Sequence, residues 1–191
     1  TTHVAAQKYG NEWINYSQKH YRISIPTTGI YRINYTTLIN AGNGSLNIQT
    51  NATSVGIEMN AYGGATSGTS ITAQGITING SSSGSAAVYI VNNGANFNST
   101  GSADISITGI SAPAANHYGI RLGSDSVNIF NLTTASGNIT LNGTGNSSAI
   151  EYYLGNIKST AGGNISIIAN SPAWAGYYQP YAVNYSTTTG N

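Results

Sequence analysis

A unit of about thirty residues recurs along this chain, and a fixed period of that size restricts it to architectures in which one small unit stacks on the next. Set beneath one another, Gly29-Ile30-Tyr31, Gly56-Ile57-Glu58, Ala87-Val88-Tyr89, Gly119-Ile120-Arg121 and Ala149-Ile150-Glu151 form one column. Their central apolar residues lie 27, 31, 32 and 30 positions apart. A second column joins Leu46-Asn47-Ile48, Ile76-Thr77-Ile78, Ile105-Ser106-Ile107, Ile139-Thr140-Leu141 and Ile165-Ser166-Ile167. A weaker third runs through Ile39, Ile71, Phe97, Leu132 and Ile157, and Ala182-Val183-Asn184 reads as the opening of a sixth turn.

Each column alternates apolar, polar, apolar, the period-2 pattern of a strand buried on one face. Gly, Asn, Ser and Thr fill the intervals, as in Gly42-Asn43-Gly44, Gly80 to Gly84 and Ala161-Gly162-Gly163, and supply turns. No helix is expected. A strand this short cannot bury its apolar side alone, but stacking repeat on repeat sets Ile over Ile and builds a continuous interior. The expected fold is therefore all-β: a parallel β-helix (β-solenoid) of about five to six coils. The alternative is an antiparallel β-sandwich with evenly spaced strands. Residues 29–191 form the solenoid. Residues 1–28 read as an N-terminal cap or strand-adding segment, in which Tyr9, Trp13, Tyr16 and Tyr21 would cover the first rung.

Composition narrows the function. Charged residues are 6% of the 191, against roughly a quarter in ordinary domains, and the net charge is +1. Lys8, Lys19, Arg22, Arg32, Arg121 and Lys158 are too scattered to hold a nucleic acid. There is no cysteine, hence no disulfide framework or thiolate metal site. No apolar run approaches the roughly 18 residues of a membrane span, and an export signal is expected to have been removed or to lie outside this sequence.

The unit GIYRINYTTLINAGNGSLNIQT (Gly29 to Thr50) and its echo IEYYLGNIKSTAGGNISIIA (Ile150 to Ala169) resemble the repeats of filamentous-haemagglutinin-type adhesins, over roughly residues 29–191. That resemblance, which extends to the β-helix adhesins of autotransporters, implies a right-handed parallel β-helix exported to the cell surface, where it attaches bacteria to surfaces or host cells.

Asn-x-Ser/Thr triplets begin at Asn15, Asn34, Asn43, Asn51, Asn79, Asn98, Asn131, Asn138, Asn142, Asn146, Asn164 and Asn184. These 12 compare with about 6 expected by chance from 24 Asn and 45 Ser plus Thr in 191 residues (24 × 45/191). The excess is a by-product of the repeat or a glycosylated surface. Asn138 and Asn164 precede buried strands and are poor acceptors; Asn43, Asn51, Asn98 and Asn146, in turns, are better. Trp174, Tyr177, Tyr178 and Tyr181, followed by Tyr185, form the densest aromatic stretch and are candidates for stacking on sugar rings or contacting a partner; filling a corner or covering an end is the competing role.

Catalysis finds little support. A glycosidase needs two carboxyl groups roughly 5 to 9.5 Å apart. Glu58 and Glu151 share the exposed position of the first column but sit three rungs apart, about 14 Å at 4.8 Å per rung, with Arg121 between them as an ion-pair partner. Asp104 and Asp125 could meet only through a loop. His3, His20 and His117 have no metal-site spacing, and no cofactor is implied. The sequence thus leads to a non-enzymatic extracellular adhesive or structural protein, with surface glycans, proteins or further copies of itself as partners. The alternatives are a glycosylated filament subunit assembled by N-terminal strand addition and, third, a β-helix carbohydrate-active enzyme.

Overall fold

The computed structural model describes residues 21–25, 31–34, 38–60, 69–91, 94–113, 117–124 and 126–188. Within them eighteen strands and no helix are found, and no helix long and apolar enough to cross a membrane. The first rung is β1 (Tyr21–Ile25), β2 (Tyr31–Asn34) and β3 (Leu38–Asn40); the second is β4 (Ser45–Ala52), β5 (Ile57–Asn60) and β6 (Thr69–Ala73). The third is β7 (Gly75–Ser82), β8 (Val88–Ile90) and β9 (Ala95–Ser99); the fourth is β10 (Ile105–Ser111), β11 (Tyr118–Leu122) and β12 (Phe130–Thr134). The fifth is β13 (Ile139–Thr144), β14 (Ser148–Tyr152) and β15 (Gly155–Ser159); the sixth is β16 (Ile165–Asn170), β17 (Ala175–Tyr178) and β18 (Val183–Thr187).

Every third strand joins the same sheet, giving three six-stranded sheets: A (β1-β4-β7-β10-β13-β16), B (β2 through β17) and C (β3 through β18). All pairings are parallel, so the chain is a three-sided β-solenoid and the antiparallel sandwich is excluded. The second column stands as read: Leu46, Ile76, Ile105, Ile139 and Ile165 are successive partners in sheet A. The third likewise follows Ile39, Ile71, Phe97, Leu132 and Ile157 up sheet C.

Three positions differ from expectation. In sheet B the partner of Ile57 is Tyr31, one residue past Ile30, so the first repeat enters the sheet in a shifted register. Val183 pairs in sheet C through Gly155 and belongs to the last side of the sixth rung, whose first side is Ile165–Asn170; the sixth turn is nearly complete there rather than opening. Tyr21–Ile25, placed in the N-terminal cap by the sequence, pairs with Leu46–Thr50 as a rung of sheet A. Tyr9, Trp13 and Tyr16 lie outside the described residues.

The core is one apolar column running along the axis. Ile48, Ile78, Ile107 and Leu141 from sheet A, Ile57, Val88, Ile120 and Ile150 from sheet B, and Ile71, Phe97, Leu132 and Ile157 from sheet C are fully buried. Each contributes about 1.5–3 kcal/mol by leaving water, which offsets the ordering of such short strands without disulfides. Volume is balanced between rungs. Phe130 pairs with Ala95 on one side and Gly155 on the other. Phe97, Phe130 and Tyr152 form an edge-to-face stack with centroids 5.1 and 5.8 Å apart. The buried Tyr152 hydroxyl donates to the Phe130 carbonyl at 2.6 Å, which satisfies the one polar atom that the stack brings inside.

The corner from sheet C to sheet A is held by buried hydroxyls of one column, Ser99, Thr134 and Ser159. Ser99 Oγ lies 2.6 and 2.7 Å from the carbonyls of Gln74 and Ala103, and Thr134 Oγ1 donates to Gly137 O at 2.7 Å. Ser159 Oγ accepts from Gly163 N at 2.8 Å. These side chains stand in for ladder partners that the turn backbone lacks.

Candidate functional site

The outer faces of the solenoid carry the polar members of each alternation, and the residues singled out in the sequence are distributed over all three. On sheet C an amide ladder climbs the surface. Asn131 Nδ2 donates to Asn96 Oδ1 at 2.7 Å, Asn156 Nδ2 to Asn131 Oδ1 at 2.7 Å, and Asn184 Nδ2 to Asn156 Oδ1 at 3.1 Å. The 4.8 Å rung spacing lets each amide bridge to the next. Two sequon residues, Asn131 and Asn184, therefore have their acceptor nitrogens engaged.

On sheet A, Asn79 and Asn142 flank Thr108 in one outward row, half-buried. Asn43, Asn51 and Asn98 are exposed, and Asn146 is half-exposed. Asn51 Oδ1 accepts from Ser81 Oγ at 3.1 Å. Asn34 lies in β2, and Asn15 lies outside the described residues. Asn138 and Asn164 are exposed but belong to a corner chain: Asp104 Oδ1 accepts from Asn138 N at 2.7 Å, and Asn138 Oδ1 from Asn164 N at 2.9 Å.

The outward row of sheet B corrects one expectation. Glu58, Tyr89, Arg121, Glu151 and Tyr178 are successive partners, so the two glutamates are three rungs apart as the period required. They are not exposed, however: Glu58 keeps 3% and Glu151 4% of its surface. Tyrosines surround the middle of this row. The Arg121 guanidinium lies 5.5, 5.2 and 5.0 Å from the ring centroids of Tyr89, Tyr118 and Tyr153, and it donates to Tyr153 Oη at 2.9 Å. Arg121 Nε is 3.3 Å from Glu151 Oε2, and Ser148 Oγ donates to Glu151 Oε1 at 3.1 Å. Burial pushes the Glu151 carboxyl above its usual range, while Arg121, the Ser148 hydroxyl and Tyr153 pull it back. This arrangement is an ion pair under an aromatic cover.

The remaining ionisable candidates stay apart. Asp104 serves the corner chain, Asp125, His3 and His20 lie outside the described residues, and His117 is half-buried with its carbonyl accepting from Ser147 N at 3.0 Å. Among the described residues no three His, Cys, Asp or Glu side chains gather as a metal-binding group.

The aromatic stretch divides into three. Trp174, 61% exposed, and Tyr178 form an outward pair with centroids 5.2 Å apart. Tyr181 leans on Tyr153 at 6.2 Å. Tyr177 instead occupies the inward column above Ile150, packs on the end of the core and bonds its hydroxyl to that of Tyr185. Alternation along β17 forces this: Tyr177 and Tyr178 cannot share a face. Beside the exposed pair a shallow groove of about 470 Å³ crosses the rungs, lined by Asn51, Ser81, Ile110, Thr144, Asn146 and Pro172. It carries no charge. No motif in the sequence marks it, because its lining comes from five rungs and depends on how the corners stack.

Neither family models, curated proteins nor solved structures yield a match to this chain.

Proposed function

We propose that the chain is a segment of an extracellular adhesive structural protein that displays uncharged polar faces and an exposed aromatic pair to neutral glycans. The observation that carries this reading is the Trp174–Tyr178 pair beside an uncharged groove of hydroxyls, amides and apolar ridges. Aromatic faces stack on the C–H faces of sugars, and neutral hydrogen-bonding groups suit their hydroxyls. A rigid rod that repeats weak contacts at fixed spacing gains strength by multivalency.

Beads coated with the chain are expected to be retained on immobilised neutral oligosaccharides. The double variant Trp174→Ala with Tyr178→Ala should weaken retention about tenfold or more, corresponding to about 1.4 kcal/mol or more. Both side chains point outward on the last rungs, so its circular dichroism should be unchanged. Equal retention of the variant, or no retention at any coating density, refutes the reading. Surface biotinylation of intact source cells should label the protein; labelling only after lysis contradicts an extracellular location.

Glycosylation belongs to the same proposal. In protein from its source, peptide mass mapping should find sugar first at Asn43, Asn51, Asn98 and Asn146, and last at Asn131, whose nitrogen is held in the amide ladder. A mass of 19.7 kDa for that preparation would mean that none is attached.

A further inference from the structure

Three asparagines of the described residues, Asn43, Asn79 and Asn142, are each followed by Gly and then by Ser or Thr. A further Asn-Gly pair begins at Asn93, which lies outside the described residues. Glycine leaves no Cβ to keep its backbone nitrogen off the preceding carboxamide carbon, so each pair can close into a cyclic imide. Local sequence alone gives the three the same reactivity. The solenoid gives them different surroundings.

Asn79 and Asn142 are half-buried inside β7 and β13, one rung to either side of Thr108. In that extended backbone the carboxamide projects off the sheet face, while the next nitrogen lies in the plane of the ladder. Both strands are paired on both sides, and the carbonyls of Ala87 and Ala149 crowd Gly80 and Gly143, at 2.3 and 2.2 Å from where a Cβ would stand. The glycine nitrogen cannot turn towards the side chain until the ladder opens.

Asn43 is exposed, in the turn that precedes β4, with Gly42 at a φ of 56°. Gly44 N donates to Ala41 O at 2.8 Å, a bond within the turn itself. The anchors to the next rung are Ala41 N to Thr72 O and Gln74 N to Gly44 O, both 2.8 Å, and they use neither the Asn43 side chain nor the Gly44 nitrogen. Only a local bond must therefore break to free the nucleophile, and bonds of this kind open far more often than a doubly paired ladder.

We propose that Asn43 is a site of spontaneous deamidation, from which sheet A protects Asn79 and Asn142. Gly44 N attacks Asn43 Cγ; the new N–Cγ bond forms as Cγ–Nδ2 breaks, and Nδ2 leaves as ammonia with the proton from Gly44 N. Water then opens the imide at one C–N bond to give aspartate, or at the other to give isoaspartate, in which the chain runs through the side-chain carbon. Either product puts a carboxylate on the corner that feeds β4 and takes the net charge from +1 to 0 (1 − 1). An Asn43 that has lost Nδ2 can no longer accept a sugar, so deamidation and glycosylation compete for this residue. The inference is independent of glycan binding.

The test follows the full chain, made in a host that attaches no sugar, through prolonged incubation at mildly alkaline pH. Tandem mass spectrometry of chymotryptic peptides should find the mass gain of NH2 replaced by OH at Asn43 about tenfold or more ahead of Asn79 and Asn142. An isoaspartate-specific methyltransferase should label the Asn43 peptide, and Asn43→Gln, whose longer side chain closes a larger and slower ring, should abolish that label. In urea at the same pH the three peptides should convert at similar rates, which assigns the difference to the fold. Equal conversion of the three in the folded chain, conversion of Asn79 or Asn142 ahead of Asn43, or a folded chain that keeps all three amides while the urea sample converts, overturns the proposal.

Discussion

Replacing Arg121 by methionine is expected to destabilise the protein by about 3 kcal/mol at pH 7, as read from urea denaturation, because it leaves the Glu151 carboxylate buried without its cation. Methionine keeps most of the stem that packs among Tyr89, Tyr118 and Tyr153, so the loss reports charge more than volume. Its pH dependence follows from the direction of the Glu151 shift. Burial already raises that carboxyl above its ordinary value of 4.5, and removing Arg121 deletes the largest influence that lowers it. A group whose folded pKa is raised holds its proton more tightly when folded. Its contribution is present below the unfolded value and is lost as pH rises through the folded one. The difference between variant and wild type should therefore shrink as pH falls from 7 towards 4. Adding Glu151→Gln to the methionine variant should restore most of the loss at pH 7, since the amide can still accept from Ser148. A deficit that is flat from pH 4 to 8 and is not relieved by glutamine would show that the pair is not electrostatically coupled.

Gly109→Val should be as costly, about 3 kcal/mol or more, for a steric reason. Gly80, Gly109 and Gly143 form one row near the end of sheet A. There the chain turns into sheet B, and the next side of the same rung passes directly over them. A Cβ at Gly109 would stand 2.1 Å from the Gly119 carbonyl oxygen and 2.8 Å from Ile120 Cγ1; at Gly80 and Gly143 it would stand 2.3 and 2.2 Å from the carbonyl oxygens of Ala87 and Ala149. The obstruction is backbone in a strand paired on both sides, so it cannot move aside without breaking two ladders. Gly109→Ala should already lower the urea midpoint, and valine should lower it further. Thr108→Val, one residue away on the outward face, should stay within about 0.5 kcal/mol of wild type. A valine variant as stable as wild type would mean that the corner is looser than these distances describe.

This glycine row illustrates where sequence reasoning stops. Gly80 read as part of a turn, being followed by Ser81-Ser82-Ser83-Gly84, yet it lies inside β7. What requires glycine is a carbonyl seven residues ahead, brought close only by the corner. Glu58 and Glu151 show the same limit. Their row and rung separation follow from the period, but their burial does not; beside Glu151 stand Arg121 and Tyr153, and Tyr153 flanks the column with no periodic signal of its own. Proximity in the chain groups Tyr177 with Trp174 and Tyr178, but alternation in β17 turns it to the core instead.

The amino-acid sequence by itself determined the architecture: period-2 alternation and a thirty-residue repeat leave stacked, parallel rungs as the arrangement that buries every aliphatic column, and the pairing of Ile48 with Ile78 and of Ile107 with Leu141 follows from spacing alone. Only the tertiary structure decided what the polar columns become. An outward residue can be solvated, laddered or roofed over, and that depends on corners and loops whose lengths differ from rung to rung. Asn131 thus enters an amide ladder, Arg121 lies beneath three tyrosines, and Trp174 stands exposed beside a groove. Burial of apolar surface is additive and readable position by position, whereas the environment of a polar side chain is set by its neighbours in space.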